Sequence, residues 1–537
     1  MFWRKLTPSF NPALFSMGPS RSFLPVLGTS WLSRIVLALS SGLLNIVIFP
    51  RIEISWLCWV ILVPLLAAGV LENRLLRAFL AGWLAGAVFF LGNCYWIIHV
   101  LIQYGGLPPM GAFFCLLLLV AFLACFYGAF LLVLCWMARF SPTFSLAAAP
   151  FLWVGFEYLR TYLLTGFPWC LMGYALLDQG SIVLLSRWTG VYGLSWLVLL
   201  LNSMAAGLLL TPFRSPLRRS LAGLFLVLAV AIISLWGMEE TNPAGTSVRI
   251  IQPNVSPDQV WKEPEKTDIL DELGQLSREK ESGIPIGKRE AELGMLVWPE
   301  TPAPFYFHHD PDFRLRLREL ARQTGAVFLF GFVDLRPSQR TGEPDPYNSL
   351  AVLSPKGELL SQYDKIHLVP FGEFVPYPWL FFFIEKISTE AGNFVPGKTR
   401  SMADLGERGK IGAFICYEAI FPDLVRRFAR EGATVLVNIT NDGWFGDSAA
   451  PYQHLNMARL RAIENNRYLI RAANNGVSAI IDPYGKVLAR TRTDEKTALQ
   501  GTFSFQKETT FYSRNGDIFA WGCIWISLGM GVIRVRV

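Results

Sequence analysis

The chain has 537 residues, of which 52% are hydrophobic and only 17% charged. That balance excludes an ordinary soluble protein and reads as an integral membrane protein with room for two or three domains. The formal net charge of +7 is scattered through both halves, with no Lys/Arg-rich block and no basic stripe interleaved with aromatics, so nucleic acid is not an expected partner.

Residues 1–30 carry Arg4, Lys5 and Arg21 among Pro, Ser and Gly, with no apolar segment leading to a small-residue cleavage site. They read as a cytoplasmic leader, not a signal peptide. Apolar runs follow at 31–49, 54–71, 78–100, 110–137, 145–164, 182–210 and 220–237, each long enough to cross a hydrocarbon core of about 30 Å. The expectation is a transmembrane helical domain of about seven spans over 31–240. Arg74, Arg77, Arg139, Arg214, Arg218 and Arg219 all fall in connections on the side of the N-terminus, whereas 101–109 and 165–180 hold no Lys or Arg; Arg51 is the exception. By the positive-inside rule the N-terminus is cytoplasmic, and an odd number of spans delivers the next domain to the opposite face. Within the fifth run, Glu157 and Arg160 stand three residues apart, a spacing that predicts a pair on one helix face. The sequence GFPW at 166–169 then breaks that helix.

From 241 to 515 the pattern changes to short β-rich runs alternating with amphipathic helices. Strands are predicted at 248–252, 293–298, 326–332, 349–353, 411–416, 434–439, 468–472 and 477–481, and helices at 315–323 and 452–466. This is one α/β domain, placed by the span count outside the cytoplasm. A final apolar stretch at 518–533, followed by Arg534 and Arg536, reads as a C-terminal transmembrane helix within 516–537. Its alternative is a helix packed on the α/β domain.

Chemistry concentrates in that domain. Of the eight cysteines, Cys416 is the only one between 241 and 515, and it closes a predicted strand, where α/β sheets present reactive groups. It has no disulfide partner in its own domain, and its bland alternative is a buried structural thiol. The cysteines show no CxxC spacing and the five histidines no HExxH, so neither a metal nor a cofactor is expected. A thiol nucleophile needs a base and a cationic or hydrogen-bonding group for its oxyanion. Glu300 ends the run MLVWPE, and Lys365 lies in QYDKIHLVPFGEF, each just after a strand-like segment.

The order Glu, Lys, Cys at strand ends resembles the nitrilase superfamily, whose αββα sandwich uses that triad for amide and nitrile chemistry. Seven spans ahead of the domain and one behind it resemble one branch of it, the membrane-embedded apolipoprotein N-acyltransferase family of bacterial envelopes. The marks are GFPW, GVYGLS at 190–195, QPN at 252–254 with Trp261, WPE at 298–300, YNS at 347–349, YDKIHLVPFGEFVP at 363–376, CYE at 416–418 and NDGWFGDSAAPYQH at 441–454. The run MARLRAIENNRYLIRAANNGVSA at 457–479 continues the match, while the leader and the polar segment 279–290 depart from it without touching a motif. The resemblance implies Cys416 as nucleophile, Glu300 as general base and Lys365 as the oxyanion-stabilising cation. It implies supporting roles for Glu373 and Glu418, the latter holding the Cys416 loop, and a substrate pocket lined by Trp261, Asn348, Tyr417 and Trp444. The implied reaction moves a fatty acyl chain from a membrane phospholipid, through a Cys thioester, to the N-terminal amine of a diacylglyceryl-cysteine lipoprotein. The implied setting is the bacterial inner membrane, with the catalytic domain on the periplasmic face. The run FVPYPWLFFFI at 374–384 is too apolar for one buried face and fits an arm dipping into lipid. Rival readings are a membrane-anchored amidohydrolase with the same triad, a transporter or receptor with an inert outer domain, and a cysteine protease with His367 as base.

Overall fold

The structure is a computed structural model and describes residues 30–211, 215–234, 245–255, 266–278, 293–338, 342–377, 379 and 393–535. The leader up to residue 29, Trp261, the segment 279–290 and the phenylalanines 381–383 of the apolar arm lie outside the described residues.

The first half is an apolar helical bundle. Among the described residues three of its helices, Leu75–Cys94, Pro109–Ala138 and the merged stretch Gly180–Leu210, are long and apolar enough to cross a membrane; Trp31–Val47 and Ser55–Leu71 are shorter apolar segments. The run expected at 54–71 is not one regular span: a 3-10 turn at Ser55–Trp59 precedes a nine-residue α-helix, Val63–Leu71. Pro64, with no N–H to give, starts that second helix instead of continuing the first. The run expected at 78–100 also divides, ending at Cys94 before the short helix Ile97–Gln103. There the Asn93 amide donates back to the Phe89 carbonyl at 3.1 Å and the Trp96 indole to the Asn93 carbonyl at 3.0 Å, so side chains compete for the helical ladder. Helices Leu75–Cys94 and Pro109–Ala138 approach closely because Gly82 faces Tyr127; a Cβ there would lie 2.5 Å from the Tyr127 carbonyl oxygen.

The second half is a sandwich of two six-stranded sheets. In chain order the strands are β1 (Thr246–Gln252), β2 (Leu293–Val297), β3 (Val327–Arg336), β4 (Asp345–Leu353), β5 (Leu359–Asp364), β6 (Ala403–Asp404), β7 (Lys410–Ile415), β8 (Ala433–Thr440), β9 (Leu469–Ala473), β10 (Ala479–Ile481), β11 (Val487–Arg490) and β12 (Thr497–Phe503). One sheet runs β12-β1-β2-β3-β4-β5 and the other β11-β10-β9-β8-β7-β6. The period-two alternation of strands divides each one between two cores. Val248, Ile250, Met295, Val297 and Leu329 meet Ala413, Ile415, Val435 and Val437 between the sheets. Ile251, Leu296, Phe328 and Phe330 turn the other way, onto Leu270, Leu273, Leu317 and Leu320 of helices Lys266–Arg278 and Pro311–Thr324. Helices Pro422–Arg430 and Ala450–Asn465 complete the four layers on the other side.

Bundle and sandwich share that last layer. The Glu464 carboxylate, fully buried at the end of Ala450–Asn465, accepts the Val191 N–H at 2.9 Å and pairs with Arg461 Nε at 2.8 Å. Val191 follows Gly190, whose φ of +64° kinks the membrane helix and leaves room for Tyr512; a Cβ there would lie 2.5 Å from that ring. The C-terminal helix Ile518–Val535 packs on the bundle, with Trp521 5.3 Å from Tyr158 and Phe519 6.2 Å from Trp196, ring centre to ring centre. It is therefore not a helix laid on the sandwich alone.

Candidate active site

Glu300 follows β2, Lys365 follows β5 and Cys416 follows β7, so all three emerge at the C-terminal ends of their strands. The sandwich folds them into one buried cluster. Lys365 Nζ lies 3.3 Å from Glu300 Oε1 and 2.9 Å from Glu373 Oε1, with the lysine side chain 1% exposed. Asn348 Nδ2, on β4, donates to the same two oxygens at 2.7 Å each. Glu300 Oε2 accepts the Asn441 N–H at 2.9 Å, and Glu373 Oε2 the Val369 N–H at 2.7 Å. Burial alone would discharge Lys365, but Glu300 and then Glu373 outweigh it and raise its pKa, so the ammonium persists.

Cys416 itself opens a 3-10 helix, Cys416–Ile420, with φ at +51°. For a residue with a Cβ that left-handed conformation costs roughly 1–2 kcal/mol, and it turns the thiol out of line with its strand. Burial pushes the thiol pKa up, the Glu300 charge pushes it further, and Lys365 opposes both. At rest the sulfur therefore keeps its proton, with the neighbouring Thr440 acting, like Lys365, to lower the pKa. A protonated thiol beside an ion-paired carboxylate and a fixed ammonium is an arrangement that could give up a proton to the carboxylate and hold the resulting negative charge against the cation.

Glu418 ties the end of β7 to the lysine segment. Its Oε1 accepts the Tyr363 hydroxyl at 2.6 Å and the N–H groups of Ile366 and His367 at 2.7 and 3.1 Å, and its Oε2 accepts the Ile415 N–H at 2.7 Å. The His367 ring is engaged elsewhere: it lies tilted against Phe421 at 3.6 Å between ring centres and beside Thr165, and burial lowers its pKa to about 4. That placement removes the geometry a protease reading needs.

The four residues expected to line a substrate pocket separate. Asn348 bonds the two carboxylates, as above. Tyr417 is buried against the bundle, its hydroxyl 3.5 Å from the Gly166 carbonyl oxygen. Trp444 keeps 39% of its surface exposed and meets Tyr104 edge-on at 4.5 Å. Trp261 lies outside the described residues. Nor do Glu157 and Arg160 form the expected ion pair. Glu157 Oε1 accepts the Met172 N–H at 2.8 Å, and Arg160 Nη1 donates to the Phe167 and Trp169 carbonyls at 3.0 and 2.8 Å. Both are spent on folding the turn that carries GFPW, whose backbone groups have no helical partners in an apolar setting.

Sequence reasoning passed over the exit of β8. There Thr440 meets the thiol, Asn441 supplies an N–H to Glu300, and Asp442 pairs with His454 and Arg471 at 3.0 and 2.8 Å. The run 441–454 was visible as a motif, but no local spacing reveals that its two ends close on each other. Among the described residues, no group of three or more His, Cys, Asp or Glu converges as metal ligands.

A cysteine set against a buried Glu–Lys–Glu cluster on a four-layer sandwich defines the carbon-nitrogen hydrolase class, here built onto an apolar bundle. Residues 247–510 match the carbon-nitrogen hydrolase family model, and residues 41–204 match the model of the apolipoprotein N-acyltransferase N-terminal domain. The chain is 36% identical over 497 residues to the apolipoprotein N-acyltransferase of Geobacter metallireducens, covering 91% of this chain and 93% of that protein. It is 33% identical over 537 residues to the namesake from Rhodopseudomonas palustris, covering 95% and 96% respectively. The chain belongs to the apolipoprotein N-acyltransferase family, and with its apolar helices it is a membrane-embedded protein of the bacterial kind. Among solved structures, an amidase from Nesterenkonia sp. is similar at 19% identity and a TM-score of 0.37, over 53% of this chain and 98% of that one.

Proposed function

We propose that this chain transfers a fatty acyl group from a membrane phospholipid to the N-terminal amine of a diacylglyceryl-cysteine lipoprotein, by two displacements at Cys416. In the first, Glu300 takes the thiol proton as sulfur attacks the acyl ester, Lys365 holds the oxyanion, and the proton passes to the departing lysophospholipid oxygen. In the second, the lipoprotein amine attacks the thioester, and its proton returns through Glu300 to sulfur. A thioester is activated towards amines and the conversion of ester to amide is favourable overall, so the two displacements need no nucleotide. The observation that carries this reading is Lys365, held at 3.3 and 2.9 Å by Glu300 and Glu373 beside a thiol that is protonated at rest. Glu373 keeps the ammonium charged, and the exposed Trp444 offers an aromatic face to an acyl chain or lipopeptide. Phospholipid as donor and the inner membrane as location are parts of the proposal, as is the periplasmic face for the sandwich, which the arginine asymmetry of the loops supports.

The experiment is a covalent trap. Purified protein given phospholipid and no acceptor should gain one fatty-acyl mass, mapped to Cys416 and released by hydroxylamine; Cys416→Ala should gain none. A diacylated lipopeptide with a free N-terminal amine should discharge the adduct into a triacylated product, and its N-acetylated form should not. Fatty acid released equally fast without acceptor would make the chain a hydrolase.

A further inference from the structure

The left-handed backbone at Cys416 is unfavourable by itself, so its surroundings must hold it. On the strand side Glu418 bonds the Ile415 N–H. On the other side one side chain reaches the nucleophile's own backbone: His454 Nε2 lies 3.1 Å from the Cys416 carbonyl oxygen. A carbonyl can only accept, so Nε2 carries the hydrogen. The other ring nitrogen, Nδ1, faces Asp442 Oδ1 at 3.0 Å and Arg471 Nη2 at 3.1 Å. Arg471 also bonds Asp442 Oδ2 at 2.8 Å and the Asn438 side chain, and the Thr440 hydroxyl bonds Asp442 Oδ1 at 3.0 Å. Every member of this cluster is buried, His454 to 1% exposure and Arg471 to none. Such a network fixes a ring in one orientation, since each alternative strands a buried polar group.

The preceding residue faces the opposite way. Gln453 Oε1 accepts the Trp169 indole N–H at 2.7 Å, and its Nε2 donates to the Pro50 carbonyl and Asn93 Oδ1 at 3.3 and 3.4 Å. Three segments of the bundle thus converge on one side chain. The Trp169 ring also lies 5.9 Å from the His454 ring, centre to centre.

We propose that His454 is a positioning residue for the nucleophile: its Nε2–H bond to the Cys416 carbonyl holds the left-handed turn that aims the thiol, and Gln453 couples that turn to the membrane bundle. This rests on Cys416 being the nucleophile.

The test compares His454→Gln with His454→Asn. A glutamine amide nitrogen reaches about as far as Nε2 and can still donate to Cys416. An asparagine reaches only to Nδ1, so it keeps the Asp442 contact and loses the Cys416 one. A misplaced reacting atom costs up to about 100-fold, so Asn should slow acyl-enzyme formation roughly 10- to 100-fold with the KM for phospholipid unchanged, while Gln stays within about fivefold of the parent. The alkylation rate of Cys416 with iodoacetamide should follow the same order, with both variants matched for thermal unfolding in detergent. Equal losses in the two variants, or an Asn variant within twofold of the parent, would overturn the proposal. Gln453→Leu leaves His454 in place and gives an independent arm: acyl-enzyme formation should slow at least fivefold, and an unchanged rate removes the coupling to the bundle. Absence of any adduct on the parent protein would instead sink the acyltransferase reading, and the alkylation order would still decide the role of His454.

Discussion

Replacing Glu300 with Gln separates a base from a mere neighbour, because two observables should move in opposite directions. Glu300 Oε1 meets two donors, Asn348 Nδ2 at 2.7 Å and Lys365 Nζ at 3.3 Å, and Oε2 meets a third, the Asn441 N–H at 2.9 Å. A glutamine has one acceptor oxygen, so whichever way it turns, its NH2 confronts a donor. One buried donor left unpaired costs about 1–3 kcal/mol, which lowers thermal stability without unfolding the domain, since Glu373 still pairs Lys365 at 2.9 Å. Loss of the base removes a proton-transfer contribution of about 10²–10⁴ in rate, or about 3–5 kcal/mol at 1.36 kcal/mol per tenfold. Acyl-enzyme formation, followed by intact mass in a single turnover, should fall by that factor. The thiol itself should ionise more readily. After burial, Glu300 is the largest influence raising the Cys416 pKa, and its removal leaves Lys365 less opposed. The pH profile of iodoacetamide alkylation should therefore shift to lower pH in Glu300→Gln. A shift to higher pH, or acylation retained within about threefold, would refute the assignment of Glu300 as base.

Glu418→Gln should destabilise the protein by about 1–3 kcal/mol, because the amide cannot accept the Ile415 N–H while still serving Tyr363, Ile366 and His367; thermal unfolding in detergent reads the loss, and an unchanged midpoint would show the four bonds to be dispensable. His367 should make the fold acid-sensitive. Its pKa falls from 6.5 to about 4 in the folded protein, so the stability tied to its neutral ring is complete above about pH 6.5 and lost as pH drops towards 4. His367→Phe should flatten that part of the stability profile, and an unchanged slope would move the effect to other groups. Reporters fused after Glu240 should score outside the cytoplasm and reporters after Val537 inside, and a cytoplasmic signal at Glu240 would overturn the span count.

The convergence of Glu300, Lys365 and Cys416 was legible because each follows a short apolar run, and position after a strand survives any detail of packing. Strands were also legible in the sheet interior, where β8 is buried along its whole length and its Val435, Leu436, Val437 and Ile439 stand out despite the buried Asn438. The strands Val487–Arg490 and Thr497–Phe503 were not, since nearly all their positions are only partly buried and blur the alternation. The bundle misled where hydropathy alone was used: a window of apolar residues does not register Pro64 starting a helix, or Asn93 and Trp96 capturing carbonyls. The pairing of Glu157 with Arg160 failed for a related reason. Spacing places two charges on one face but says nothing of competing partners, and the backbone of the following turn offered both residues better ones. His454 and Asp442 were invisible as a pair because one stands twelve residues after the other, across a loop and a helix start.

The way the two halves meet explains how a scaffold suited to hydrolysis can serve amide formation. Water competes with an amine for any thioester, and it wins by concentration unless it is kept away. Around Cys416 the bundle contributes walls that a soluble sandwich would leave to solvent. The 165–169 turn closes over Tyr417 and His367, and Trp96 packs edge-on to Phe445 at 4.8 Å and tilted to Trp169 at 4.9 Å. Arg51 bonds Asp447 and the Ser448 carbonyl, so the 441–454 segment is held by the bundle along its length. The polar groups in these walls are mostly used on each other, as with Gln453, Trp169 and Asn93. Such walls offer a stray water few unpaired partners. A thioester formed there would persist until an amine tethered to its own lipid anchor arrives from the bilayer. Loosening the walls should then show as acceptor-independent fatty acid release before any loss of acylation. Trp96→Ala is the direct test, since it removes the ring shared by Phe445 and Trp169 without touching Glu300, Lys365 or Cys416. A rise in hydrolysis of severalfold with acyl-enzyme formation unchanged is the expected result. A parallel fall in both would mean that the wall sets the geometry of the site and not its dryness.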